Sequence, residues 1–130
     1  MILVIDDDRD FIATVKALLE AEGYDIATAT SGKEGLALLG ATTPELVICD
    51  VMMENAMEGY AVSGEVRMRE MWGQAHVPFL MVSSIESSPD ELFPRSEEIG
   101  VIRPDYYLTK PLDISLFLEI VRKLVPHVSV

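Results

Sequence analysis

An α/β domain built around a parallel sheet is the fold this sequence predicts, and three observations carry the prediction. The apolar run Ile2-Leu3-Val4-Ile5 stops at Asp6-Asp7, Leu46-Val47-Ile48-Cys49 stops at Asp50, and Tyr106-Tyr107-Leu108-Thr109 stops at Lys110-Pro111. Short apolar runs bounded by polar punctuation read as strands buried on both faces, and segments of helical period lie between them. Five such strands alternating with four or five helices give a parallel sheet covered on both sides. Sheets of this class gather functional groups at the carboxyl ends of their strands, so three carboxylates and an ammonium are expected to converge at one edge.

The elements follow in order. After the first strand, Phe11, Val15, Leu18 and Leu19 recur at helical spacing until Gly23 stops them. Tyr24 to Ala29 has the length and composition of a second strand. Ser31-Gly32-Lys33-Glu34 has capping-box spacing and opens a second helix through Leu36 and Leu39, broken at Thr42-Thr43-Pro44. Glu45 to Asp50 is the third strand. Residues 51–59 have neither period and form a loop ahead of a third helix from about Tyr60 to Trp72. Val77 to Val82 is the fourth strand, with Ser83-Ser84 at its carboxyl end. Pro89, Pro94, Gly100 and Pro104 interrupt the stretch that follows, so a fourth helix there is short or irregular. Tyr106 to Thr109 is the fifth strand. Asp113 caps a last helix with Ile114, Phe117, Leu118, Val121, Leu124 and Val125 on one face.

Residues 1–130 are expected to form one domain, since this length supports a single core. Hydrophobic residues make up 49% and charged residues 25%, a globular composition. No apolar stretch approaches the roughly 20 residues that span a bilayer, and no basic start precedes a cleavable segment, so a cytoplasmic chain without membrane contact is expected. Ten Lys and Arg against 22 Asp and Glu leave a net charge of −12, the wrong sign for gripping nucleic acid directly. Cys49, the one cysteine, forms no internal disulfide and reads as a buried core thiol.

The converging residues suit a divalent metal and a phosphoryl group. Magnesium takes one or two protein carboxylates and fills its remaining positions with water and phosphate oxygens, and Asp6, Asp7 and Asp50 supply enough. Asp50 needs no general base to act as a nucleophile. Its obstacle is a negatively charged donor, which a metal and the Lys110 ammonium would offset. The Ser83 hydroxyl and the Ser84 N–H would complete a cradle for the phosphoryl oxygens. No Gly-rich loop follows either strand, and Asp-Asp-Asp-Arg-Asp after the first would repel a dinucleotide pyrophosphate. Taken singly, an Asp after a strand is a helix cap, as Asp8 or Asp10 would be, and a Ser pair is a turn. Taken jointly, an acid pair, an acid, a hydroxyl and a lysine closing strands one, three, four and five point to chemistry.

On these residues the chain resembles the receiver domain of two-component response regulators over essentially its whole length. Ile2 to Asp8 matches the acid-pair strand, Leu46 to Asp50 the phosphoacceptor strand, Ser83-Ser84 the hydroxyl and small-residue pair, and Tyr107 to Pro111 the switch aromatic and lysine. The resemblance implies a flavodoxin-like five-stranded sheet in the order 2-1-3-4-5. It makes Asp50 the residue phosphorylated by a histidine kinase or histidine phosphotransfer protein. Asp7, Asp50 and the Met52 main-chain carbonyl would bind Mg²⁺ directly, and Asp6 would act through water. Ser83 and Lys110 would meet the phosphoryl oxygens, Tyr107 would turn inward behind Ser83, and Lys110-Pro111 would be cis. The chain would catalyse only its own phosphorylation and dephosphorylation, and its output would be a downstream protein, an output domain or a homodimer.

Two stretches depart from the family pattern. Glu54 stands where the loop after the acceptor usually carries proline, with one extra residue before Gly59, and residues 85–105 run longer than usual with three prolines. In receivers the side chains two positions after the acceptor and after the hydroxyl residue flank the path of hydrolytic water. Met52 and Ile85 are apolar and would slow self-dephosphorylation. The alternatives are a haloacid-dehalogenase-like phosphatase with Asp6 as nucleophile, whose motif Asp6-Asp7-Asp8 imitates, and a degenerate receiver that only mediates protein contact.

Overall fold

The computed structural model describes residues 1–50, 62, 64–66, 68, 77–83 (Ser83 by its backbone) and 105–126. Five strands run through them: β1 (Ile2–Ile5), β2 (Ile26–Ala29), β3 (Leu46–Cys49), β4 (Phe79–Ser83) and β5 (Tyr106–Thr109). They form one sheet in the order β2-β1-β3-β4-β5, and every neighbouring pair is parallel. Helices α1 (Arg9–Ala21) and α2 (Gly32–Ala41) follow β1 and β2, and a last helix (Ile114–Leu124) follows β5. The described residues between 62 and 68 are helical, within the third helix that the sequence predicts. The stretch 85–104, with its expected irregular helix, lies outside the described residues.

Alternation along the strands divides the core into two layers, because successive side chains point to opposite faces. Ile2, Val4, Leu46, Ile48, Leu80 and Val82 pack against Ile12, Val15 and Leu19 of α1 and Phe117 and Val121 of the last helix. Leu3, Ile5, Val47, Cys49, Phe79 and Met81 pack against Leu39 of α2 and against Val62 and Val66. β1 and β3 are buried at every position, the signature of central strands covered on both sides. Each large side chain so buried contributes about 1.5–3 kcal/mol relative to exposure.

The differences from expectation have local causes. β2 begins at Ile26 rather than Tyr24, because Gly23 (φ 93°) and the Tyr24 N–H bond to the Leu19 carbonyl close α1, and the Tyr24 hydroxyl donates to the Val125 carbonyl at 2.6 Å. β4 begins at Phe79 rather than Val77. Pro78 has no N–H to donate, and the Phe79 N–H is taken by the Asp105 carboxylate at 2.7 Å while the Asp105 N–H returns to the Phe79 carbonyl at 2.9 Å. In α1 the buried residues are Ile12, Val15 and Leu19, with Phe11 and Leu18 on the flank. Ile114, expected on the buried face of the last helix, is 49% exposed in its first turn, whereas Phe117 and Val121 are buried.

Caps fix the helix starts. Asp8 caps α1 by accepting from the N–H groups of Asp10 (3.0 Å) and Phe11 (3.1 Å). Asp113 caps the last helix by accepting from the Leu116 N–H at 3.1 Å. Ser31 caps α2 by accepting from the Glu34 N–H at 3.1 Å, but Glu34 reaches back to the N–H and hydroxyl of Thr30 instead of closing on Ser31. At the other end of the last helix, Arg122 forms a two-pronged ion pair with Glu22 at 3.0 and 2.6 Å, tying it to the end of α1.

α2 approaches β1 closely at one glycine. A Cβ on Gly35 would overlap the side chain of Ile5, itself fully buried, whereas a Cβ on Gly40 in the same helix would meet nothing within 4 Å. Removing a helical glycine gains about 0.5–1 kcal/mol, and overpacking costs about 1–3 kcal/mol. Gly40→Ala is therefore expected to raise the urea midpoint and Gly35→Ala to lower it, and chemical denaturation of both variants beside the unsubstituted chain checks the opposite signs.

Candidate functional site

The sheet itself carries two of the acids to one place. The Asp6 N–H donates to the Ala29 carbonyl and the Asp50 N–H to the Ile5 carbonyl, each at 3.0 Å, so the parallel ladder continues one residue past the ends of β1 and β3. Register pairs Ile5 with Cys49, and the residues after them, Asp6 and Asp50, are the only buried charged side chains among the described residues. Asp7 is exposed beside them. One carboxylate oxygen from each of Asp6, Asp7 and Asp50 lies within 4.8 Å of the other two.

Lys110 enters from the end of β5. Its Nζ donates to Asp6 Oδ2 at 2.8 Å and to Asp50 Oδ2 at 3.3 Å, with the lysine side chain only 17% exposed. The second oxygen of Asp6 accepts the Asp8 N–H at 2.9 Å. Burial is the strongest influence on Asp6 and raises its pKa; the Lys110 and Asp8 hydrogen bonds pull it back, the charge of Asp50 pushes it up again, and the net direction is upward. The like charge of Asp50 is thus secondary to desolvation. Burial alone would lower the Lys110 pKa, but its hydrogen bond to Asp6 and the charges of Asp6 and Asp50 outweigh it and hold the ammonium above the ordinary lysine value.

The remaining site residues are placed as follows. The Ser83 backbone pairs with Thr109, the residue before Lys110, which sets the ends of β4 and β5 level. The Ser83 side chain, Ser84 and Met52 lie outside the described residues. Tyr107 pairs with Met81 and packs, partly buried, against the α2-side core. The Lys110-Pro111 bond is cis, as the resemblance implies. Cys49 is buried, and its Sγ–H points to the Asp50 carbonyl at 3.4 Å, in keeping with a core thiol.

One neighbour was not legible as part of the site. The Lys110 ammonium lies 4.2 Å from the centre of the Phe11 ring. Helical period assigns Phe11 to a packing face; the usable signal was an aromatic in the first turn after the strand that carries the acids. The ring and Lys110 also line a cavity of about 290 Å³ with Leu18, Leu112 and Ile114.

The donor set fits a hard divalent cation. Carboxylate oxygens are the ligands such ions prefer, and three carboxylates against one ammonium leave two negative charges to balance. A buried carboxylate, a cluster of acids that could hold a cation and an ammonium within contact of one another fit a class: α/β domains that accept or hold a phosphoryl group.

Comparison with known proteins makes the class specific. The response regulator receiver domain pattern matches residues 2–122, and the chain belongs to that family. It is 34% identical over 123 residues to the DNA-binding dual master transcriptional regulator RpaA of Synechocystis sp., covering 95% of this chain and 48% of that protein. The chain thus spans about half the length of RpaA, and only 26% of the similarly related ZraR of Salmonella typhimurium. Among solved structures it superposes on the chemotaxis response regulator CheY4 of Vibrio cholerae with a TM-score of 0.77, at 26% identity, over 95% of this chain and 97% of that one. It superposes on the response regulator TrrA of Thermotoga maritima with a TM-score of 0.74, at 28% identity, over 95% and 97%. Nothing in these comparisons favours the phosphatase alternative.

The raised pKa of Asp6 has a signed consequence. Between the unfolded value of 3.8 and the higher folded value, the folded chain holds a proton that the unfolded chain has released, so this group's contribution to stability falls as pH rises through that window. Asp6→Asn removes the charge and keeps an acceptor for Lys110. In metal-free buffer the melting temperature of the variant relative to the unsubstituted chain is expected to rise from pH 4 toward neutral pH. Calorimetric melts across that range check it.

Proposed function

We propose that the chain is a phosphoacceptor switch in which Asp50 takes a phosphoryl group from the phosphohistidine of a histidine kinase or histidine phosphotransfer protein. The observation that carries this reading is the Lys110 ammonium seated between Asp6 and Asp50, with Asp7 alongside. An Asp50 oxygen attacks phosphorus, the new O–P bond forms as the N–P bond breaks, and the imidazole leaves. Lys110 transfers its hydrogen bond from the Asp50 carboxylate to a phosphoryl oxygen, neutralising charge where it develops. Mg²⁺ would be held directly by Asp7, Asp50 and the Met52 carbonyl and through water by Asp6, and when bound it supplies charge neutralisation at the phosphoryl oxygens. The similar TrrA was solved in complex with Mg²⁺ and BeF, which supports this ligand class. Asp6 is suited to the indirect role because its two oxygens are already engaged by Asp8 and Lys110.

In this reading Ser83 and the Ser84 N–H complete the phosphoryl cradle, and Tyr107 follows Ser83 to alter the partner-binding surface. The chain is a single domain over 1–130 that works in the cytoplasm, catalyses only its own phosphorylation and dephosphorylation, and passes its signal to a downstream protein or output domain. No helix among the described residues is long and apolar enough to cross a membrane. At a net charge of −12 this segment does not itself grip DNA.

Incubation with acetyl phosphate and Mg²⁺ followed by peptide mass spectrometry is expected to give one adduct, on Asp50, and none in Asp50→Asn or Asp50→Ala, both still folded. An adduct on Asp6 would select the phosphatase instead. Adduct decay is expected to be slow and to quicken when Met52→Asn and Ile85→Glu are combined, because polar groups there can orient the attacking water. Decay in the unsubstituted chain as fast as in that double variant would remove the proposed occlusion.

A further inference from the structure

Four contacts close a circuit around one edge of the site. Asp6 Oδ1 accepts the Asp8 N–H at 2.9 Å, and Asp8 Oδ1 accepts the Phe11 N–H at 3.1 Å. The Phe11 ring centre lies 4.2 Å from Lys110 Nζ, and Lys110 Nζ donates to Asp6 Oδ2 at 2.8 Å. The first turn of α1 is therefore built off the same carboxylate that holds the lysine, and the cap fixes the backbone from which the ring projects. An ammonium over an aromatic face is attracted by the ring quadrupole, more strongly when water is partly excluded. Here the lysine is 17% exposed, and the ring is half-buried beside the apolar residues Leu18, Leu112 and Ile114.

We propose that Phe11 is a positioning residue for the phosphoryl site, its ring face holding the Lys110 ammonium at the strand ends independently of the charge on the acids. This deepens the phosphoacceptor reading and rests on it. The two carboxylates that hold Lys110 are the groups whose charge changes during function, because Asp50 becomes an acyl phosphate and a cation shares the acids. The ring changes in neither step. A lysine has a long flexible stem and a compact, strongly hydrated head, so a hold that persists through both steps keeps it from returning to solvent. An aliphatic side chain of similar size would fill the same volume without attracting the ammonium.

The test compares the full chain with Phe11→Leu and Phe11→Tyr. In the metal-free protein, the Lys110 ε-methylene protons are expected upfield from ring current in the unsubstituted chain and in Phe11→Tyr, with the shift lost in Phe11→Leu. For beryllofluoride with Mg²⁺, followed by fluorine NMR, Phe11→Leu is expected to bind about three- to tenfold more weakly, and Phe11→Tyr within about twofold of the unsubstituted chain. In a Lys110→Met background, Phe11→Leu is expected to add no further loss, since the interaction it removes is already gone. Unchanged affinity in Phe11→Leu overturns the proposal, and so does a loss that persists undiminished without Lys110, which is the result of mere packing. An unsubstituted chain that keeps the ring-current shift yet takes up no beryllofluoride overturns the phosphoacceptor reading instead.

Discussion

The site depends on one ammonium shared between two buried carboxylates. Lys110 is held by Asp6 and Asp50, and neither acid has ready access to water that could solvate its charge in the ammonium's place. Buried ions are costly unless paired, and breaking such a pair from one side leaves an uncompensated charge. Because the lysine stands at the end of β5 and the acids beyond the ends of β1 and β3, this interaction ties together strands that are not all neighbours in the sheet. It also leaves a surplus of negative charge beside Asp7, which suits the cluster to a divalent cation.

Parallel pairing does the positioning. A parallel ladder brings strand ends together at the same level, so residues that each follow a short apolar run arrive side by side without any dedicated loop. The main-chain bonds of Asp6 and Asp50 extend that ladder by one residue, giving the acids the rigidity of the sheet rather than of the connections that follow. Helix α2 presses on the same strand through Gly35 against Ile5, the residue before Asp6.

Much of this was legible because its signals are local. The runs before Asp6, Asp50 and Lys110 are near-continuous apolar stretches of strand length, and the structure finds β1, β3 and β5 in those places. Caps at Asp8, Ser31 and Asp113 follow from residue type alone. What escaped depended on contacts between distant residues. Nothing near Phe79 announces that Asp105 will take its N–H, and nothing near Tyr24 announces a bond to the Val125 carbonyl, so the starts of β4 and β2 were set too early. Ile114 has the right period for burial, but its position in the first turn leaves it at the mouth of the cavity beside Lys110. Phe11 packs against the α1-side core as its period predicts, but period records which face a residue occupies and not that Lys110 meets it there.

Tyr107 lies within β5 and Lys110 directly follows its end, three positions on, and three is an odd number. Side chains at odd separations face opposite sides of a sheet, and β5 obeys this: Tyr107 packs with the layer under α2, while Lys110 joins Phe11 on the layer under α1. The sheet is thus a partition, with the ammonium on one side and the Tyr107 ring on the other. The backbone they share gives one route between them, along which a displacement of the lysine would be carried mechanically through a strand of four residues.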